Sequence, residues 1–217
     1  MNSYRFLGIF LQGESGMSRL EKLVLATNNP DKMKEMKAVF RIRGLIVLGL
    51  DNFPEVGEIE ETGTTLLENS FLKAHAVHTI TGLPAIADDT GLEVDALNGA
   101  PGVFSARYAG EKATYDDNVN KLLLDMRSVA DDFRTARFRT VSSFTDGIRE
   151  LWTEGIIEGE ITREAIGAGG FGFDPVFKSL QNGKTFAEMT ETEKNKISHR
   201  GIALRKMQEL LKNTFKE

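Results

Sequence analysis

Acidic side chains at two places along the chain have the chemistry of a site for a hard cation. Glu60 and Glu61 precede Thr62 and Gly63, while Asp88 and Asp89 interrupt an apolar frame of Ala85, Ile86, Ala87, Leu92 and Val94. Strands disfavour aspartate, and two in a half-buried strand cost desolvation free energy unless they are paired, hydrogen-bonded or bound to a cation. Mg²⁺ takes oxygen ligands, commonly one or two carboxylates completed by water and substrate phosphates, so two well-placed acids suffice. Side chains alternate along a strand, so Asp88 and Asp89 should face opposite sides unless a bulge intervenes, and only one need touch the metal. The plainer alternative makes them the cap of a turn with Thr90 and Gly91.

Three further groups could hold an anion and an aromatic ring. Thr27, Asn28, Asn29, Pro30, Asp31 and Lys32 form a strand-to-helix turn, where a helix N-terminus offers backbone N–H groups and Lys32 adds a full charge. The glycine spacing and Lys-Ser/Thr pair of a P-loop are missing, and a well-capped surface helix is the bland reading. Lys73 and Arg107 are further candidates for phosphate oxygens, or else solvated cations. Late in the chain, Gly167, Gly169, Gly170, Phe171, Gly172, Phe173, Asp174 and Pro175 make a glycine-rich loop in which either Phe could stack a base or plug the core. Lys194, Ser198, His199 and Arg200 follow; arginine and lysine only donate, which suits a keto oxygen and rejects an amino group. Alternatively Ser198 caps a helix whose first turn exposes His199 and Arg200.

The elements that must position these groups can be read from periodicity. Leu23–Ala26 reads as a buried strand, followed by a helix with an Asn cap, Pro in its first turn and an apolar stripe of Met33, Met36, Val39 and Phe40. Leu45–Leu50 reads as a strand, and Leu66–Ile80 as a helix with Leu67, Phe71, Ala74 and Val77 on one face. Pro84–Leu97 reads as a strand, Ala113–Met126 as a helix, Arg137–Asp146 with Glu150–Thr162 as a long hairpin, and Ile197–Leu211 as a closing helix. Alternating strands and helices with a late hairpin predict an α/β fold with a mixed sheet.

Composition narrows the partners. With 217 residues, 41% hydrophobic and 27% charged, the chain reads as an ordinary globular protein. It has no cysteine, which removes disulfides, thiol nucleophiles and Cys-based zinc sites and suits a reducing cytoplasm. A net charge of −5 argues against a nucleic-acid polymer as partner, and no apolar stretch approaches a membrane span. The run Phe6–Leu11 is too short for a secretory leader, so residues 1–18 read as an extension before a single domain over 19–217.

Taken together, these strings resemble the inosine triphosphate pyrophosphatase (ITPase) family from about Lys22 to Leu211. The likeness is carried by Thr27–Lys32, Glu61-Thr62-Gly63, Glu68-Asn69 with Lys73, Ala87–Leu92, Gly99–Gly102, Ser105–Tyr108, Gly169–Pro175, Lys194 and Ser198–Gly201. It implies an elongated, bent mixed sheet flanked by helices, with two lobes around a central cleft, usually as a homodimer. It also implies hydrolysis of non-canonical purine nucleoside triphosphates (ITP, dITP, XTP) between the α and β phosphates. On this resemblance Thr27 to Lys32 and Lys73 hold the triphosphate, Glu61 and Asp89 bind Mg²⁺, and Asp89 takes the proton of the attacking water, with a pKa lowered by the cation. Thr90 contacts substrate, and Phe171, Gly172, Phe173, Asp174, Lys194, His199 and Arg200 form the base pocket. Two alternatives stand beside it: a Maf-type pyrophosphatase with other base preferences, whose strings differ, and a non-catalytic nucleotide-binding regulator, which leaves Glu61 and Asp89 without purpose.

Overall fold

A computed structural model describes residues 19–215, so the extension expected over 1–18 lies outside the described residues. The first strand, β1 (Lys22–Leu25), shows why the chain is buried from its start. Its residues alternate between two cores: Leu23 and Leu25 face one, Val24 and Ala26 the other, as a strand covered on both sides requires. β1 pairs in parallel with β2 (Ile46–Gly49) and β3 (Ala85–Val94). Antiparallel pairing then continues from β3 to β5 (Thr135–Thr145), β6 (Glu150–Ile161) and β7 (Phe177–Ser179), with the short β4 (Pro101–Gly102) also on β3. The sheet is therefore mixed, as the pattern predicted.

Helices cover both faces. α1 (Pro30–Val39) and α5 (His199–Thr214) pack with β1 and Phe144 around Leu23, Met36, Leu204 and Met207. α2 (Leu66–Thr81) closes the opposite face over Val24, Ala26, Ala85 and Ala87. A separate core lies at the far ends of β3, β5 and β6, where α3 (Tyr115–Asp125) packs with Leu92, Phe138, Phe173, Phe177 and Phe186. Two lobes result, joined by the long strands, with a cleft between them.

Three expectations needed adjustment. The buried stripe of α2 is Leu66, Asn69, Ser70, Lys73, Ala74 and Val77, while Leu67 and Phe71 are only half-buried. The cause is polar pairing with the sheet, including Ser70 Oγ to Ser143 Oγ at 2.5 Å. The closing helix starts at His199, because Ser198 adopts extended backbone and caps it through Gly201 N at 3.1 Å. A separate short helix, α4 (Glu191–Ile197), precedes that joint, held at its start by a Thr190–Glu193 capping box.

Candidate active site

The side chains of β3 follow from strict alternation. β3 and β5 pair without interruption from Ala85 to Val94, so no bulge disturbs the period. Asp88 shares a face with Ile86 and points toward α1 and α5; Asp89 shares the other with Ala87 and points toward α2. Both sit in mid-strand, which rules out the turn-capping alternative.

Asp89 and Glu61 converge on one cation. Lys73 Nζ lies 2.6 Å from Glu61 Oε1 and 3.1 Å from Asp89 Oδ1, and Asn69 Nδ2 reaches the other Asp89 oxygen at 3.4 Å. Burial pushes the Asp89 carboxyl above its ordinary value, against Lys73 and Lys32 and with help from the nearby Glu61 charge. The sequence reading expected the opposite direction beside a divalent cation; with the protein's own charges, desolvation wins. Two carboxylates drawn to one ammonium, one of them short of positive charge, fit a hard cation. Among the described residues no three His, Asp or Glu side chains converge, so water and phosphate oxygens would complete such a site.

On the other face of β3 a denser network closes. Arg200 is 2% exposed and every nitrogen is committed: Nε donates to Asp88 at 3.0 Å, one terminal nitrogen to Glu35, the other to Thr90 Oγ1 at 3.1 Å. Glu35 also receives Lys194 Nζ at 2.7 Å, and Lys194 in turn reaches Asp174. Despite burial, Arg200 and Lys194 hold the Glu35 carboxyl below its ordinary value, and Lys32, Arg200 and Lys73 hold that of Asp88 below its own. Lys32 is less well served: burial lowers its pKa, with Asp88 at 3.5 Å its one ion-pair partner among the described residues and the Lys73 and Arg200 charges adding to the effect. A bound anion would answer that deficit.

The glycine-rich loop forms the cleft's aromatic end. Asp174 Oδ2 accepts from Phe171 N at 2.8 Å, and a Cβ on Gly170, whose φ is +72°, would meet that oxygen at 2.1 Å. The loop thus folds around Asp174 and presents Phe171, with Lys194 Nζ 4.4 Å from its ring centroid. Phe173, by contrast, is a core residue whose edge reaches the cleft wall. His199 is buried and stacks on Phe138, with ring centroids 4.5 Å apart. Its Nδ1 has no partner among the described residues.

The cleft encloses about 740 Å³ with its open mouth. Of the residues nominated from sequence, Asn29, Lys32, Glu61, Asp89, Thr90, Phe171, Gly172, Phe173, Asp174, Lys194, His199 and Arg200 all line it. Lys73 stands behind Glu61 and Asp89, buried rather than solvated. Thr27, Asn28, Pro30 and Asp31 build the turn instead. Thr27 Oγ1 accepts from Asn29 N, Asn28 Nδ2 binds Gly57 O at 2.8 Å, and Pro30 opens the helix. The N–H groups of Asp31 and Lys32 are already taken by Asn29 Oδ1, at 2.9 and 3.1 Å, so the helix start offers fewer free donors than its sequence suggested. Arg107 turns away, its guanidinium 3.7 Å from Glu111 and over the Phe104 ring. His199 and Arg200 are buried, contrary to the exposed first turn that was the alternative. Sequence reasoning did not single out Glu35, Tyr115, Asn118 or Phe138; an acid one turn beyond Lys32 on the flank of an apolar stripe was the one available hint, for Glu35.

An α/β fold whose interlobe cleft gathers buried cations, an exposed aromatic loop and a carboxylate pair in its wall has the makings of a nucleotide-handling class of protein. A profile of the Ham1 family matches residues 23–210. The dITP/XTP pyrophosphatase of Shigella flexneri is 47% identical over 197 residues, spanning 89% of this chain and 100% of that one. Solved Ham1 proteins share the fold: that of Coxiella burnetii with a TM-score of 0.81 at 42% identity, covering 88% of this chain and 98% of that one. The Staphylococcus aureus protein gives 0.79 at 37%, with the same coverage. The chain belongs to the Ham1 family.

Proposed function

We propose that this chain is a nucleoside-triphosphate pyrophosphatase that hydrolyses dITP, ITP and XTP to the monophosphate and pyrophosphate, clearing them before they enter nucleic acid. The observation that carries it is the meeting of Glu61 and Asp89 on Lys73 in the wall of a cleft shared with Lys32 and Phe171. The dITP/XTP activity named for relatives 47% identical over their full length supports the substrate class.

In this reading Asn29 and Lys32 receive the triphosphate, the turn from Thr27 to Asp31 fixes their positions, and Lys73 steadies Glu61 and Asp89 from behind the cleft wall. Glu61 and Asp89 would hold Mg²⁺, which would supply a Lewis acid to offset the phosphate charge and make water more acidic. Asp89 accepts the proton as water attacks the α-phosphorus; the bond to the bridging oxygen breaks and pyrophosphate leaves. Phe171 stacks the purine without discriminating between bases. Arg200 gives three of its five N–H groups to Asp88, Glu35 and Thr90, which hold it in shape, and the two that remain can meet the keto oxygen together with donors from His199, Lys194 and the loop backbone. An adenine amino group would leave those donors unpaired, a penalty that reaches about 10⁴-fold where buried polar groups lose their partners. The family resemblance supports a homodimer, and a cysteine-free chain suits the cytoplasm; among the described residues no helix is long and apolar enough to cross a membrane.

The test is pyrophosphate release from dITP, ITP, XTP, GTP and ATP with and without Mg²⁺. Release from the first three that requires the metal, and falls at least a hundredfold in a folded Asp89→Asn variant, is expected. Full activity in that variant, or equal rates with ATP, overturns the assignment.

A further inference from the structure

Tyr115 is a large aromatic left 42% exposed on the cleft wall, although an apolar core with room for aromatics lies one turn further along the same helix. It is the first residue of α3, directly after the N-cap Thr114, whose capping box with Asp117 fixes the helix start. Asn118, buried three residues later, accepts from Ala109 N at 2.8 Å and donates to Ala106 O at 3.0 Å, which anchors α3 to the wall. The ring is therefore held in place by its own element.

Its contacts join the two ends of the cleft. The Tyr115 hydroxyl accepts from Asn29 Nδ2 at 3.0 Å and donates to Asp31 Oδ2 at 3.3 Å, both in the turn at the cationic end. Its ring lies 5.9 Å from that of Phe171, tilted by 43°, at the aromatic end. A nucleotide with its base on Phe171 and its phosphates by Asn29 and Lys32 must lay its sugar between them, and that interval is where Tyr115 stands. With one bond accepted and one donated, the phenolic oxygen keeps a lone pair free for a sugar hydroxyl.

We propose that Tyr115 is a substrate-binding residue that packs against the nucleotide's sugar and accepts a hydrogen bond from one of its hydroxyls. The inference rests on the nucleotide reading of the same cleft. A contact made equally in ground and transition states shows in KM more than in kcat.

The test uses the full chain with dITP and ITP as substrates, and with IMP and inorganic tripolyphosphate as competitive inhibitors. Tyr115→Ala is expected to raise KM for both substrates about fivefold or more and to weaken IMP by a similar factor, leaving tripolyphosphate inhibition within about twofold. Tyr115→Phe, which keeps the ring, should show a smaller rise in KM. Unchanged KM and IMP inhibition in Tyr115→Ala overturn the proposal, as does equal weakening of IMP and tripolyphosphate, which would mean a disturbed phosphate end. A wild-type protein that turns over neither substrate would instead overturn the nucleotide reading.

Discussion

His199 stacks on Phe138 with no hydrogen-bond partner for its Nδ1 among the described residues, and burial holds the imidazole well below its ordinary pKa, with the Arg200 and Lys194 charges adding to the effect. The folded ring stays neutral while the unfolded one protonates near its usual value of about 6.5, so acid favours the unfolded chain. Between about pH 7 and about pH 5.5 this single group should remove about 1 kcal/mol of stability. Urea titrations of wild type and His199→Asn across that range should show the wild type losing that much more than the variant; parallel pH profiles would contradict it. At this scale the sequence identified the residues better than their partners. Arg200 was expected to donate to a ligand or to lie in water; it is buried, and three of its N–H groups go to Asp88, Glu35 and Thr90, which come from β3 and α1. Such a knot joins positions more than a hundred residues apart, and no local pattern encodes it.

Elements were legible wherever period and punctuation agreed. The hairpin of β5 and β6 follows its alternation, and its turn follows Asp146 and Gly147: the Asp146 carboxylate accepts from Ile148 N and Arg149 N, and Gly147 has a φ of +83°. The face of α2 was misread because Asn69, Ser70 and Lys73 occupy positions that a hydrophobic count gives to apolar side chains. β7 and α4 escaped because three and seven residues are too few for a period to declare itself. One close approach links an element to the site. A Cβ on Gly155 of β6 would sit 2.0 Å from the carbonyl oxygen of His199, so α5 rests directly on strand backbone. Gly155→Ala should push the start of α5 outward and carry His199 and Arg200 with it. Destabilisation of about 1–3 kcal/mol and a loss of catalytic efficiency larger than stability explains are expected; denaturation and steady-state kinetics on the purified variant check both.

The whole molecule depends on strands that belong to both lobes. β3 contributes Ile86 and Ala87 to the cores around β1 and Leu92 and Val94 to the distant one, and β5 divides Phe144 and Phe138 in the same way. Neither lobe can lose its core without stripping the other, which predicts one cooperative transition. Urea unfolding followed by the fluorescence of Trp152, the chain's one tryptophan, should coincide with loss of far-UV circular dichroism. Two separated midpoints would show that the lobes melt apart. The mixed sheet was legible from the order of elements, whereas the division into three cores was not, since it depends on where the sheet changes its covering helices. Asp88 and Asp89 are neighbours on β3 that face opposite sides, one paired with Arg200 and Lys32 and the other with Lys73, and the strand that carries them is zipped to β5 along its entire length. No hinge can operate there. Whatever breathing admits a nucleotide and lets pyrophosphate out must come from the parts hung on that seam, the aromatic loop among them, and the seam itself keeps the two lobes in register.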